Sequence, residues 1–251
     1  MKFNSGMILG LTLLAGLLAA APLRAEDAPP TCEVPAYLLT TESALPKVAE
    51  AIKNRTLDIL VVGSRSSTIN TSDGSAYPGR LQTILREKLP GVAVNVAVDL
   101  QVKKTAEEVA AGFVKLAETK RPTLVIWQTG TVDAMRAIDP DDFRGAVDDG
   151  VVALQKAGTD VVLMNLQYSP RTETMISAPP YLDNMRVVAQ SHDVPLFDRF
   201  AVMRHWSEQG DFDLFSAAHG LELAKRVHDC LGRALSKFVL DAARVNPAQQ
   251  N

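Results

Sequence analysis

Cysteine and histidine are scarce in this chain, with two and four copies in 251 residues. Neither Cys32 nor Cys230 has the neighbours of a catalytic thiol or a metal site. His192, His205, His219 and His228 are scattered without the spacing of metal ligands. Basic clusters are missing as well. The formal net charge is −3 and becomes more negative once Lys2 and Arg24 leave with an N-terminal leader, so there is no electrostatic case for a nucleic-acid partner. Past the N-terminus no stretch approaches the roughly 20 apolar residues a bilayer requires. Internal repeats, low-complexity blocks and internal linkers are absent too. What remains is a mildly acidic single domain with no implied metal or organic cofactor.

The N-terminus carries the one long apolar run. Lys2 gives a positive start, residues 7–21 are apolar or small, and Leu23-Arg24-Ala25 precedes Glu26 as a small-residue cleavage site. This reads as a secretory signal over residues 1–25, with an uncleaved N-terminal anchor as the alternative. It places the mature protein in the periplasm or outside the cell, where disulfides form. Cys32 and Cys230 are therefore expected to pair and to fasten an N-terminal lead-in (26–43) to the final helix; two buried free thiols are the alternative.

Residues 44–245 read as one α/β domain, followed by a short tail, 246–251. Helical periodicity covers 44–54, 76–89, 104–119, 141–157, 180–192, a stretch near 202–207, and 221–242. Strand patterns cover 57–62, 92–98, 122–128, 160–166 and 194–197. Gly158 is placed to cap the fourth of these helices in a left-handed conformation. Strands alternating with helices predict a three-layer α/β/α sandwich around a parallel sheet of about five strands. Ligands of such sheets sit beyond the carboxyl ends of the strands. That rule directs attention to Gly63-Ser64-Arg65-Ser66-Ser67-Thr68, where the first apolar strand stops. A serine- and threonine-rich turn capping the next helix is the plainer reading of the same residues.

Three features then combine: a first strand ending in glycine and serines, a third ending in Gly130-Thr131-Val132-Asp133, and a histidine just before the last helix. Together with Trp127-Gln128-Thr129-Gly130-Thr131 and Tyr77-Pro78-Gly79-Arg80-Leu81, they resemble the SGNH (GDSL-type) hydrolases over essentially the whole mature chain. The resemblance implies serine ester hydrolysis, in which an imidazole takes the serine proton and preorganised donors hold the oxyanion. Carried onto this chain, Gly63 matches the first glycine and Ser66 becomes the nucleophile if the loop holds one extra residue, with Ser64 and Ser67 as the neighbouring hydroxyls. His219 stands at the base, and Asp213 or Asp133 at the orienting carboxylate. Ser216 holds the aspartate place of the Asp-x-x-His pattern, and a looser alignment puts Glu222 at the histidine.

The oxyanion positions diverge. Residues 99–103 contain no glycine, and Val132 replaces the asparagine, although Gly130 persists. Gln128, Asn165, Gln167 and Tyr168 are the candidate replacement donors at strand ends, and Arg65 or Arg171 could hold an anion. His228 and His205 read as structural or surface residues. Two functions compete: an exported ester hydrolase acting on a small-molecule or carbohydrate ester, and a catalytically degenerate relative binding a sugar or anionic ligand in the same crevice. The residues specify neither substrate nor oligomeric state. If Cys32 and Cys230 are paired, a thiol assay under denaturing, non-reducing conditions will find no reactive thiol, whereas two would exclude the bridge.

Overall fold

The computed structural model describes residues 1–2, 31–69, 71, 74–215 and 220–246. Most of the leader, the start of the lead-in, Ser216, His219 and most of the tail lie outside the described residues. Five strands, β1 (Thr56–Gly63), β2 (Ala93–Leu100), β3 (Leu124–Gln128), β4 (Asp160–Met164) and β5 (Leu196–Phe197), form one sheet in the order β2-β1-β3-β4-β5. Every neighbouring pair is parallel. Burial explains the strand sequences. All five residues of β3 are buried, as are most of β1 and β4, so the central strands are continuous apolar runs; β2, at the edge, mixes buried and exposed positions.

The chain leaves β1 for β2 on one side and then crosses back over β1 to begin β3. Adjacent connections therefore run in opposite directions from the β1–β3 pair. Beyond the carboxyl ends of that pair lies the topological switch point, where open α/β sheets bind their ligands.

Helices cover both faces. On one, α2 (Tyr77–Lys88) packs with α10 (Gly220–Ala242), while α1 (Pro46–Lys53) lies against β1 and β4 and the Leu45 amide before it donates to Ala242 O at 2.9 Å. On the other, α3 (Ala106–Ala110), α4 (Phe113–Lys120) and α8 (Pro179–Ser191) pack against α6 (Pro140–Lys156). In α6 the buried Phe143, Val147, Gly150, Val151 and Leu154 recur at helical spacing, and Asp139 caps the N-terminus by accepting from the Asp141 amide at 2.8 Å. In α10 the buried stripe includes Val227, Leu231, Ala234, Leu235 and Phe238. The three-layer architecture and its five parallel strands agree with the sequence reading, and Gly158 adopts the expected left-handed conformation, φ +81°.

Three local expectations are corrected. The helix anticipated over 104–119 is two helices, because the chain tightens at Ala111-Gly112, where the Gly112 amide bonds three residues back to Val109; glycine is a poor helix former there. Two short helices escaped the periodicity, being too brief to show it. These are α5 (Thr131–Met135), started by the left-handed Gly130, and α7 (Pro170–Met175), capped by the Ser169 hydroxyl, which accepts from Thr172 N at 3.1 Å. The helix expected near 202–207 is present as α9 (Arg199–Glu208), which follows β5 directly.

Cys32 and Cys230 form a disulfide across 198 positions, with Cα atoms 5.1 Å apart. It ties the segment before α1 to α10, and the Trp206 indole secures the same segment by donating to Glu33 O at 2.9 Å. Among the described residues no helix is long and apolar enough to cross a membrane. A cross-link closing so long a loop restricts the unfolded chain severely. Reduction is expected to lower the unfolding free energy by ~2–5 kcal/mol, seen as a lower urea midpoint with reductant present.

Candidate active site

The register of β1 and β3 sets Val62 level with Trp127. One residue further on, Gly63 and Gln128 come side by side, and the chain beyond Gly63 turns through a single 3₁₀ turn, Arg65–Ser67. The glycine is required. A Cβ at Gly63 would collide with Ser67 Oγ and lie 3.3 Å from Gln128 Oε1. On the far side of Gln128, Gly130 has φ +94°, and a Cβ there would stand 2.6 Å from Leu166 Cδ1. Both glycines let backbone and side chains close around the end of the sheet.

Gln128 is 4% exposed and links the loop serines. Its Oε1 accepts a short hydrogen bond from Ser67 Oγ, and its Nε2 donates to Ser66 Oγ at 2.7 Å and more weakly to Ser64 Oγ at 3.5 Å. Because Ser67 donates to the amide, its oxygen accepts from Tyr77 OH, 3.1 Å away. Tyr77 is buried at the start of α2, and burial pushes its phenol pKa up. Its backbone amide donates to His228 Nδ1 at 2.9 Å. That bond assigns the proton of neutral His228 to Nε2. Burial, and then the nearby Arg199 cation, lower the His228 pKa to about 3.

Arg199, the first residue of α9, completes the cluster. It is 1% exposed; Nη1 donates to Ser66 Oγ at 3.3 Å, and Nη2 to Ser66 O at 3.2 Å and Gln167 Oε1 at 3.3 Å. Its guanidinium lies over the Tyr77 ring, 5.7 Å from the centroid. Nε has no hydrogen-bond partner, and among the described residues no carboxylate forms an ion pair with Arg199. The adjacent Asp198 is committed to Asn165 Nδ2 at 2.7 Å, Ala201 N at 2.9 Å and Arg186 at 3.0 Å. Burial lowers the Arg199 pKa to about 10, which leaves it charged at neutral pH. An unpaired buried cation is costly and rare.

The structure thus gathers Gly63, Ser64, Ser66, Gln128 and Gln167, and it draws in Asp133 and Gly130 through a small crevice that also touches Ser64 and Gln128. Asp133 is 1% exposed; Oδ1 accepts from Ala106 N at 2.8 Å while Oδ2 has no partner, and burial raises its pKa. The other candidates make other contacts among the described residues. Tyr168 packs edge-on against Phe200, Asn165 holds the start of α9, and Arg171 is an exposed residue of α7. Asp213 is exposed, with Oδ1 accepting from Phe215 N at 3.1 Å. His219 and Ser216 lie outside the described residues. The strand-end rule that pointed to Ser66 and Gln128 would also have reached Arg199, two residues past Phe197. The sequence reading passed it over because an arginine at a helix start gives no sign of burial.

Residues 31–245 match the model of the Non-GDSL lipase-like family. The chain belongs to that family. None of the curated proteins matches it significantly in sequence. Solved structures place this Non-GDSL lipase-like protein among SGNH-hydrolase folds, at identities low enough to speak for fold alone. TesA is 20% identical, with a TM-score of 0.55 over 72% of this chain and 97% of its own. An acetylxylan esterase, Axe2 of Geobacillus stearothermophilus, is 16% identical with a TM-score of 0.59 over 77% and 95%. A two-domain esterase active on acetylated mannans is 12% identical with a TM-score of 0.66; 84% of this chain is covered, but only 57% of that longer one.

The buried imidazole makes a pH prediction for this family member. His228 has a folded pKa depressed from 6.5, so the unfolded chain takes up a proton that the folded one refuses. Stability is intact above about pH 6.5 and falls toward the folded value near 3, at up to ~1.4 kcal/mol per pH unit. His228→Gln keeps an acceptor for Tyr77 N and removes the titration. Urea unfolding between pH 6 and 4 is expected to show a shallower acid loss in the variant than in the native chain.

Proposed function

We propose that this protein is an exported ester hydrolase of the SGNH type, with Ser66 as nucleophile and a small acyl or carbohydrate ester as substrate. One observation carries the reading. Ser66 Oγ is half-buried at the switch point, with two N–H donors, Gln128 Nε2 and Arg199 Nη1, converging on it. Attack forms an Oγ–C bond, and the collapse of the tetrahedral adduct expels the alcohol, which takes a proton. Water then releases the acid from the acyl-enzyme. Ser64, Gln128 and backbone amides around Gly63 and Gly130 are the candidate oxyanion donors. His219 is proposed as base, with Asp213 or Asp133 as its orienting carboxylate; these roles rest on the family resemblance.

Deacetylation of polysaccharide fragments is the substrate class favoured by the similar Axe2 and mannan-active folds. The disulfide and the leader-like N-terminus support export, with the periplasm as the proposed compartment.

The binding-only reading has one observation in its favour. His228, the imidazole of the described polar cluster, is neutral and spends Nδ1 on a backbone amide. p-Nitrophenyl acetate turnover decides between the two. The hydrolase reading predicts measurable turnover that falls by at least ~10³-fold in Ser66→Ala, together with covalent labelling of Ser66 by a fluorophosphonate. Neither turnover nor labelling would leave the binding module.

A further inference from the structure

We propose that Arg199 activates Ser66: its buried, unpaired guanidinium lowers the proton affinity of the Ser66 hydroxyl and holds the oxygen as its charge develops. This deepens the hydrolase reading, since it rests on Ser66 being the nucleophile. It also assigns an activating role that an imidazole need not fill alone.

A serine oxygen has two acceptor lone pairs. Here both are taken, one by Gln128 Nε2 at 2.7 Å and one by Arg199 Nη1 at 3.3 Å. Hydrogen bonds donated to an oxygen favour its deprotonated form, and so does a cation at this range. The Ser66 proton is left with the remaining direction, toward Ser64 Oγ 3.4 Å away. When it departs, the electron pair stays on Oγ between the two donors, whichever acceptor receives the proton.

The surroundings let the charge act at full strength. Arg199 is 1% exposed, so water does not screen it. Asp198 beside it is turned to Asn165, Ala201 N and Arg186. From α2, Tyr77 presents a phenol whose burial keeps it protonated; from α10, His228 is neutral. Asp133 on α5 lines the neighbouring crevice and is pushed toward its neutral form by burial. Arg65, on the loop itself, is exposed. Among the described groups facing Ser66 none supplies a compensating negative charge hydrogen-bonded to Arg199. A retained, uncompensated cation costs stability, and the negative charge it can meet is the one that forms at Ser66.

Two measurements test this. The first is the rate of Ser66 labelling by a fluorophosphonate from pH 5 to 10, where the P–Oγ bond forms as P–F breaks. In Arg199→Gln the rising limb should move up by about 1–3 pH units, and labelling at pH 7 should fall ~10–10³-fold. Arg199→Lys, which keeps a cation but loses the fork, should lie between. Variants that melt cooperatively yet label with the native pH profile would overturn the proposal. The second keeps Arg199 in place. In Ser66→Cys the disulfide leaves a single thiol, whose thiolate absorbance should titrate below the ordinary value of about 8.5; titration at or above it would equally overturn the proposal. No labelling of the native chain would defeat the hydrolase reading, while the thiol titration judges the electrostatics separately.

Discussion

One side-chain amide joins the two halves of the site. Gln128 sits at the end of β3, and its two ends serve different serines, Oε1 taking the hydroxyl of Ser67 and Nε2 reaching Ser66 and Ser64. The parallel pairing of β1 with β3 makes this possible, because it sets Gly63 beside Gln128 where no Cβ intervenes. A neutral amide can do this in a buried place at little electrostatic cost, since each polar atom finds a partner. The loop after β1 is thereby shaped by β3, and Ser66 is displayed by a clasp rather than by its own turn alone.

Behind the clasp, polarity is graded. His228 is held neutral against the Tyr77 amide, Tyr77 passes a hydrogen bond through Ser67 to Gln128, and Arg199 closes the far side with a full positive charge. Buried networks of this kind are stable when every member is satisfied. This one is satisfied except at Arg199 Nε, with Asp133 Oδ2 and Thr131 Oγ1 unpaired nearby on α5. The unpaired atoms lie around the switch point, where open α/β sheets bind their ligands.

Membership in the Non-GDSL lipase-like family and the SGNH-like fold coexist with departures in the loops. The Val132 side chain presents no donor, and the loop at 101–105 after β2 contains no glycine. Near Ser66 the chain instead has the Gln128 amide, four residues before Val132 at the end of β3, and an arginine from the far edge of the sheet. Oxyanion donors and charge partners are defined by where their atoms arrive, so a fold can exchange the residues that supply them while keeping the strand order that presents them.

How far the sequence reached depended on the range of each interaction. The succession of five strands, the two faces of helices, the Cys32–Cys230 pairing and the interest of Gly63, Gln128 and Gly130 were legible, because apolar periodicity, cysteine count and loop position are written in the sequence; the order of strands in the sheet was not. The short helices after Gly130 and Ser169 were not, since a single turn carries no period. Nor was the site's electrostatics. Arg199 looks like a solvated helix start, and His228 like a bystander, until α9 and α10 are packed. Burial of a polar group is a property of everything that surrounds it, and those neighbours come from positions up to 151 residues apart. The sequence by itself determined a sandwich with serines at the carboxyl end of its first strand; only the tertiary structure decided which charge stands behind them, because removal of that charge from water depends on segments far apart in the chain.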